Sequence, residues 1–163
     1  MALLRLRSIF ALGALAACGQ AGAQASTASS GITPPAGWQA LPEVAKAASD
    51  AAKADGVTVA SEAWGETARG CYAVWLKLSG GGVAVEQVLA GIASETIDTT
   101  DIVKPATEDG TGILSLAFTN GAYKGRLRAR VEASAITALA CFANEREPIA
   151  CESTCSTLLG SLP

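Results

Sequence analysis

The sequence predicts an α+β domain in which an antiparallel sheet of about five to six strands is packed by helices and braced by two disulfides. Five segments alternate apolar and polar residues, as strands with one buried face do. They span residues 57–64, 70–79, 111–119, 122–131 and 135–142. The last three follow one another across short turns, which favours antiparallel pairing. Stretches with helical periodicity precede, interrupt and follow the strands, so helices are expected to pack on the sheet.

The first helix is predicted over residues 42–54. Pro42 suits the first helical position, and Gly56 marks the end of the helix. Its expected apolar face consists of Val44, Ala47, Ala48 and Ala51. These side chains are small, so the helix should pack either very closely or only weakly.

The alternation is clearer in the strand at residues 70–79 than in the one at residues 57–64. One face of the clearer strand carries Tyr72, Val74, Leu76 and Leu78, and the other carries Cys71, Ala73, Trp75 and Lys77. Both faces contain large apolar side chains.

A glycine run, Gly80-Gly81-Gly82, ends this strand and precedes the most regular helical pattern of the chain. Val85, Val88, Leu89 and Ile92 fall at helical spacing. A phosphate-binding loop would also need a Gly-Lys-Ser/Thr sequence after the glycines, and the chain has none. We interpret the run as a flexible turn and predict no cofactor.

The strongest local prediction is a hairpin centred on Asn120-Gly121. Asn-Gly between two alternating segments is typical of a tight type I′ turn. A short strand near residues 102–103 and a loop at residues 105–110 should precede it. A turn at residues 132–134 then leads into the last strand. A final helix follows, with an apolar stripe of Cys151, Cys155, Leu158, Leu159 and Leu162.

Four cysteines lie in the body of the chain, and in an oxidising compartment an even number indicates two disulfides. Cys151 and Cys155 are one helical turn apart, too far for an unstrained bond to each other. Each should therefore bond a strand cysteine. The favoured pairing is Cys141–Cys151 with Cys71–Cys155, and the crossed pairing stays open because connectivity does not follow from sequence.

The start of the domain resembles a known group. Pro35-Ala36-Gly37-Trp38 is similar to the Pro-x-Gly-Trp entry of PsbP/Mog1/DcrB-like domains, and the order of elements is similar in outline. That resemblance implies a small exported domain with an antiparallel sheet between helices. It supplies no catalytic residue.

The first residues have the pattern of an export signal. Arg5 and Arg7 precede an uncharged stretch at residues 9–17, which is too short to span a bilayer. The following Leu15-Ala16-Ala17-Cys18 resembles the lipobox of bacterial lipoproteins, which implies acylation of Cys18 and attachment to a membrane through lipid.

This resemblance divides the chain into a signal peptide (1–17), a flexible tether (18–37) and a single domain (38–163). Gly19 and Gln20 follow the cysteine without an aspartate, which in that family implies the outer membrane, facing the periplasm. An ordinary cleavage site at Ala21-Gly22-Ala23 is the alternative, and it would release a soluble periplasmic protein.

Charge limits the classes of partner. Loss of Arg5 and Arg7 with the signal leaves ten cations against fifteen acids, a net charge of −5. An acidic domain is a poor candidate for binding nucleic acid. The chain has no histidine, and its acidic loop residues lack the spacing of a calcium-binding loop, so no metal site is predicted.

One stretch opposes this acidic background. Period-2 spacing puts four cations on one face of a strand, and they are Lys124, Arg126, Arg128 and Arg130. They indicate either a solvated strand face paired with acids on neighbouring strands or a docking stripe. The partner of a docking stripe would be an acidic envelope protein or an anionic envelope polymer.

Two classes of function stay open. The first is an accessory or binding lipoprotein of the cell envelope. The alternative is an envelope hydrolase that uses paired carboxylates, with candidates Glu62, Glu66, Glu95, Glu145 and Glu147. No catalytic residue is assigned, because the chain contains neither histidine nor a G-x-S-x-G or S-x-x-K motif.

Overall fold

Seven antiparallel strands form one sheet in the part of the chain that the computed structural model describes, residues 29–80, 97–144 and 148–162. The strands are β1 (Gln39–Ala40), β2 (Val57–Glu66), β3 (Cys71–Gly80), β4 (Asp98–Val103), β5 (Gly112–Asn120), β6 (Tyr123–Glu132) and β7 (Ala135–Asn144). Two helices, α1 (Pro42–Ala52) and α2 (Pro148–Gly160), accompany them. The spatial order is β1-β2-β3-β7-β6-β5-β4.

The predicted architecture is matched in outline, although the described residues are mostly sheet. All five alternating segments are strands, and residues 102–103 belong to the longer β4. The strand that sequence analysis missed is β1, because two residues carry no periodicity to detect. Long-range pairing with Gly65 and Trp64 of β2 creates it.

One of the two helices packs on each face of the sheet. We call the two faces the α1 face and the α2 face. The α1 face packs against Ala45, Ala48 and Ala52 of α1, and the α2 face packs against Leu158 of α2. The predicted division of β3 is confirmed. Tyr72, Val74, Leu76 and Leu78 belong to the α1 face, whereas Ala73 and Trp75 belong to the α2 face.

The rotation of α1 differs from the prediction. Ala45, Ala48 and Ala52 are buried, whereas Ala47, which we expected on the apolar face, is exposed. Alanines occur on several sides of this helix, so hydrophobicity differs little between them. Contact with β2 selects the side instead, and the hydroxyl of Ser61 donates to the carbonyl of Ala45 at 2.8 Å.

The hairpin between β5 and β6 is present, but its turn is not type I′. Asn120 pairs with Tyr123, so the two turn residues are Gly121 and Ala122. Gly121 has a φ of 56°, and Ala122 is not among the described residues with positive φ. Glycine at the first turn position with a positive φ is typical of type II′. The register moved the turn by one residue, which left Asn120 in the strand.

The structure contains two disulfides, as predicted, but the favoured pairing of the cysteines was wrong. The bonds are Cys71–Cys151 and Cys141–Cys155, with Cα–Cα distances of 5.8 and 5.4 Å, as disulfides require. In the β3–β7 register Cys71 lies opposite Ala143 near the end of β7, whereas Cys141 lies two residues further back. Because α2 begins shortly after β7 ends, its first turn reaches Cys71 and its next turn reaches Cys141.

Contact between the N-terminal segment and the domain begins before Trp38. The backbone N–H of Ser30 donates to a carboxylate oxygen of Glu62 at 3.1 Å, and its hydroxyl donates to the other oxygen. Ile32 and Trp38 pack against the core of the α2 face. This segment therefore covers part of that face beside α2.

Several predictions fall outside the described residues. They are the export signal, Cys18, most of the tether and the helix expected around Val85–Ile92. Within the described residues no helix is long and apolar enough to cross a membrane.

Candidate functional site: a cationic groove

The four predicted cations share the α2 face, and the sheet register shows what surrounds them. Across β7 and β5 their partners are Ala143 and Thr119 for Lys124, Cys141 and Ala117 for Arg126, Leu139 and Ser115 for Arg128, and Thr137 and Ile113 for Arg130. None of these cross-strand partners is an acid. Pairing with acids directly opposite therefore does not account for the cations.

α2 covers only part of this face, so a broad groove of about 1470 Å³ lies beside the helix. Its floor includes Lys124, Arg126 and Arg128 of β6 and Ser115 and Ala117 of β5. β4 contributes Asp101 and Val103 to one side. α2 forms the other side with Glu152, Ser153, Ser156 and Leu159. Arg130 does not line the groove, so the structure gathers three of the four cations there.

Arg128 and Arg126 differ in environment although they are two residues apart. Arg128 is half-buried, and its Nη1 donates to the carbonyl oxygen of Leu159 at 3.4 Å. That carbonyl is in the last turn of α2, where a cation is favoured by the helix dipole. The Nε of Arg128 is buried without a hydrogen-bond partner in the described structure. Arg128 therefore ties β6 to α2.

Arg126, by contrast, is exposed on the groove floor. Its backbone pairs within the sheet, but its side chain forms no hydrogen bond or ion pair with the described residues. Its guanidinium group, which presents five donors in a rigid fork, suits bidentate recognition of a carboxylate or phosphate. Lys124 is also exposed and lies on the same floor. Arg126 is thus the residue best placed to meet a partner.

The α2 wall of the groove is covalently anchored. Cys151 and Cys155 lie one turn apart on α2 and bond β3 and β7, respectively. Leu158 and Leu162 continue the same stripe into the core of the α2 face. These contacts confirm the predicted stripe of the final helix. They also position Glu152 and Ser156, which sit beside the cysteines in sequence, at the groove.

The carboxylates suggested for hydrolysis do not form a pair where the structure describes them. Glu62 accepts two hydrogen bonds from Ser30. Glu66 forms an ion pair with Arg69, with 3.5 Å between its Oε1 and the Nε of the arginine. The two glutamates are four residues apart on one strand, about 13 Å, whereas glycosidase carboxylates lie about 5–9.5 Å apart. Glu95, Glu145 and Glu147 lie outside the described residues.

The loop acids also have structural roles. Asp109 accepts hydrogen bonds from the backbone N–H and hydroxyl of Thr111, at 3.1 and 2.8 Å, and these bonds lower the pKa of its carboxyl. In the three described ranges, no group of three or more acids or cysteines is arranged to hold a metal ion.

Periodicity in the sequence did not reveal which residues form the walls of the groove. Helical spacing places Glu152 and Ser156 beside the stripe of Cys151 and Cys155, so their position on the flank of α2 was readable. Which flank faces β6 depends on how the helix crosses the sheet. Asp101 and Val103 gave no signal, because β4 has a bulge there and Asp101 adopts a φ of 52°.

Comparison with protein-family models gives no match for this chain, and comparison with curated proteins gives none either.

Proposed function

We propose that the chain is an accessory binding lipoprotein of the cell envelope that docks an anionic partner in the cationic groove. The observation that carries the proposal is Arg126, an exposed arginine on the groove floor with a cysteine and an alanine as cross-strand neighbours. A local cluster of cations in an acidic chain creates a positive field that attracts an anionic surface. No comparably placed pair of carboxylates supports the hydrolase alternative among the described residues.

The proposed location is the periplasmic side of the outer membrane, with acyl chains on Cys18 as the anchor. The lipobox-like Leu15-Ala16-Ala17-Cys18 supports it, and so do the two disulfides, which persist in oxidising compartments. A flexible linker with the length of residues 19–29, which are rich in Gly, Ala and Ser, has a root-mean-square end-to-end distance of about 20 Å.

Fractionation tests the anchor. Cys18→Ser should move the protein from the membrane to the soluble fraction, because it removes the residue that carries the acyl chains. Stable attachment needs two or more such chains. Mass spectrometry of the wild-type amino terminus should find acylated Cys18. A soluble wild-type protein that begins at Gln24 would instead support the ordinary cleavage site at Ala21-Gly22-Ala23.

Capture of partners from solubilised membranes tests the groove. Arg126→Ser should reduce capture, and added salt should reduce wild-type capture, because salt screens exposed charges. Arg69→Ser is the matched control, since it removes the same charge from an exposed arginine outside the groove lining. Arg128 is left unchanged because it supports α2. Equal capture by wild type and both variants would refute docking in the groove.

A further inference from the structure

The shape and charge of the groove point to one kind of occupant. We infer that it binds an extended peptide segment with carboxylate side chains at alternate positions, lying along β6 over the floor of β5. This inference rests on the proposed function, because it names the partner of the same site. Three features of the groove support it.

The first feature is the repeat of the cations. Lys124, Arg126 and Arg128 alternate along one strand, so their Cα atoms repeat at about 6.8 Å. An extended peptide places the side chains of alternate residues on one side at the same interval. Aspartate or glutamate at every second position therefore meets the cations in register, Arg128 through guanidinium donors that the carbonyl of Leu159 does not take. A helical segment would present its acids three or four residues apart instead.

The second feature is the width of the floor. Ser115 and Ala117 of β5 are small, and they lie opposite Arg128 and Arg126, respectively. β6 and β4 are two strand spacings apart, about 10 Å. The short side chains of β5 therefore leave a channel between the long cationic side chains of β6 and Val103 of β4, which is 60% exposed. This space matches one extended chain.

The third feature is the presence of acids beside the cations. Asp101 on β4 and Glu152 on α2 both line the groove. A polymer with a negative charge on every unit would approach these carboxylates as well as the cations, and like charges close together are unfavourable. An extended peptide can turn its acids toward β6 and keep neutral groups toward the walls. Ser153 and Ser156 offer hydroxyls to such groups.

Fluorescence anisotropy with defined probes tests the inference on the full chain, purified after export under its own leader. The first probe is labelled Glu-Ser-Glu-Ser-Glu-Ser. The second, Glu-Glu-Glu-Ser-Ser-Ser, has the same composition, but in an extended conformation only two of its three carboxylates share a face. An alginate oligomer represents an anionic polymer.

The alternating peptide should bind more tightly than the block peptide, by up to about fivefold, the upper limit for one additional exposed charge contact. Arg126→Ser should weaken its binding by about the same factor, again because one contact is lost. Arg69→Ser should leave its affinity unchanged. Circular dichroism should show that both variants keep the wild-type fold.

Equal binding of the two peptides, tighter binding of alginate, or no binding of the alternating peptide would overturn the inference. If Arg126→Ser still weakened the binding of any of these anionic probes, docking in the groove would stand. Only the extended peptide as its occupant would then be ruled out. If Arg126→Ser changed no affinity while the probes bound, the proposed function would fail with it.

Discussion

On the α1 face the strands bury a continuous apolar layer, whereas on the α2 face a helix covers only part of the sheet and leaves a groove open beside it. The α1 face contains a cluster of aromatic rings. Phe142 contacts Tyr72, Tyr123 and Phe118 at centroid distances of 5.6, 5.9 and 6.2 Å. The smaller apolar core of the α2 face centres on Trp64, Trp75 and Leu139.

The two helices are correspondingly held by different means. α1 is attached through small buried alanines and the Ser61 hydrogen bond, without a covalent link. α2 is attached by two disulfides and by Arg128 at its last turn. Burial therefore stabilises the first face, whereas on the second face cross-links hold the helix beside exposed cations. Three predictions test this division.

The largest effect should come from the disulfides on the α2 face. Changing Cys71 and Cys151 together to Ala should lower the free energy of unfolding by about 4.5 kcal/mol, because that bond closes a loop with a sequence separation of 80. Changing Cys141 and Cys155 together should cost about 3 kcal/mol, because the separation is 14. Urea unfolding under non-reducing conditions measures both. A larger loss from the shorter loop would contradict the loop-entropy explanation.

An intermediate effect should come from adjacent residues of β6 that point to opposite faces. A Cβ on Gly125 would lie 2.5 Å from the Cβ of Phe142 and 2.8 Å from the Cζ of Phe118. Gly125→Ala should therefore destabilise the domain by about 1–3 kcal/mol through overpacking. Arg126→Ser, on the open half of the α2 face, should change stability by no more than about 0.5 kcal/mol. Similar losses in urea unfolding would show that the two faces do not differ at this strand.

The smallest effect concerns acid sensitivity on the α1 side. Hydrogen bonds from Lys46 and Lys53 lower the pKa of Asp50 from 3.8 to about 2. Because the pKa is lower in the folded state, the unfolded state binds more protons between these values. The stabilisation is present above pH 4 and is lost as the pH falls toward 2. The stability difference between wild type and Asp50→Asn should therefore shrink over that interval in urea unfolding. A constant difference would mean that Asp50 contributes no such linkage.

Much of the local structure could be predicted because side-chain direction follows from periodicity. The two faces of β3, the cationic face of β6 and the stripe of α2 were all readable in this way. The rotation of α1 and the position of the hairpin turn could not be predicted in this way. The alanines of α1 left its rotation undetermined, and a one-residue change of register made Gly121 and Ala122 the hairpin turn.

The disulfides and the groove depended on residues that are distant in sequence. Cys71 bonds Cys151 because the register of β3 on β7 and the path of α2 bring them together. The same path places the carbonyl of Leu159 at Arg128 and leaves Arg126 exposed. The sequence alone determined that four cations would share one face of a strand and that two cysteines would lie one turn apart on the final helix. Only tertiary packing decided which cysteines bond and which cations line a groove, because periodicity reports the direction of a side chain but not its partner.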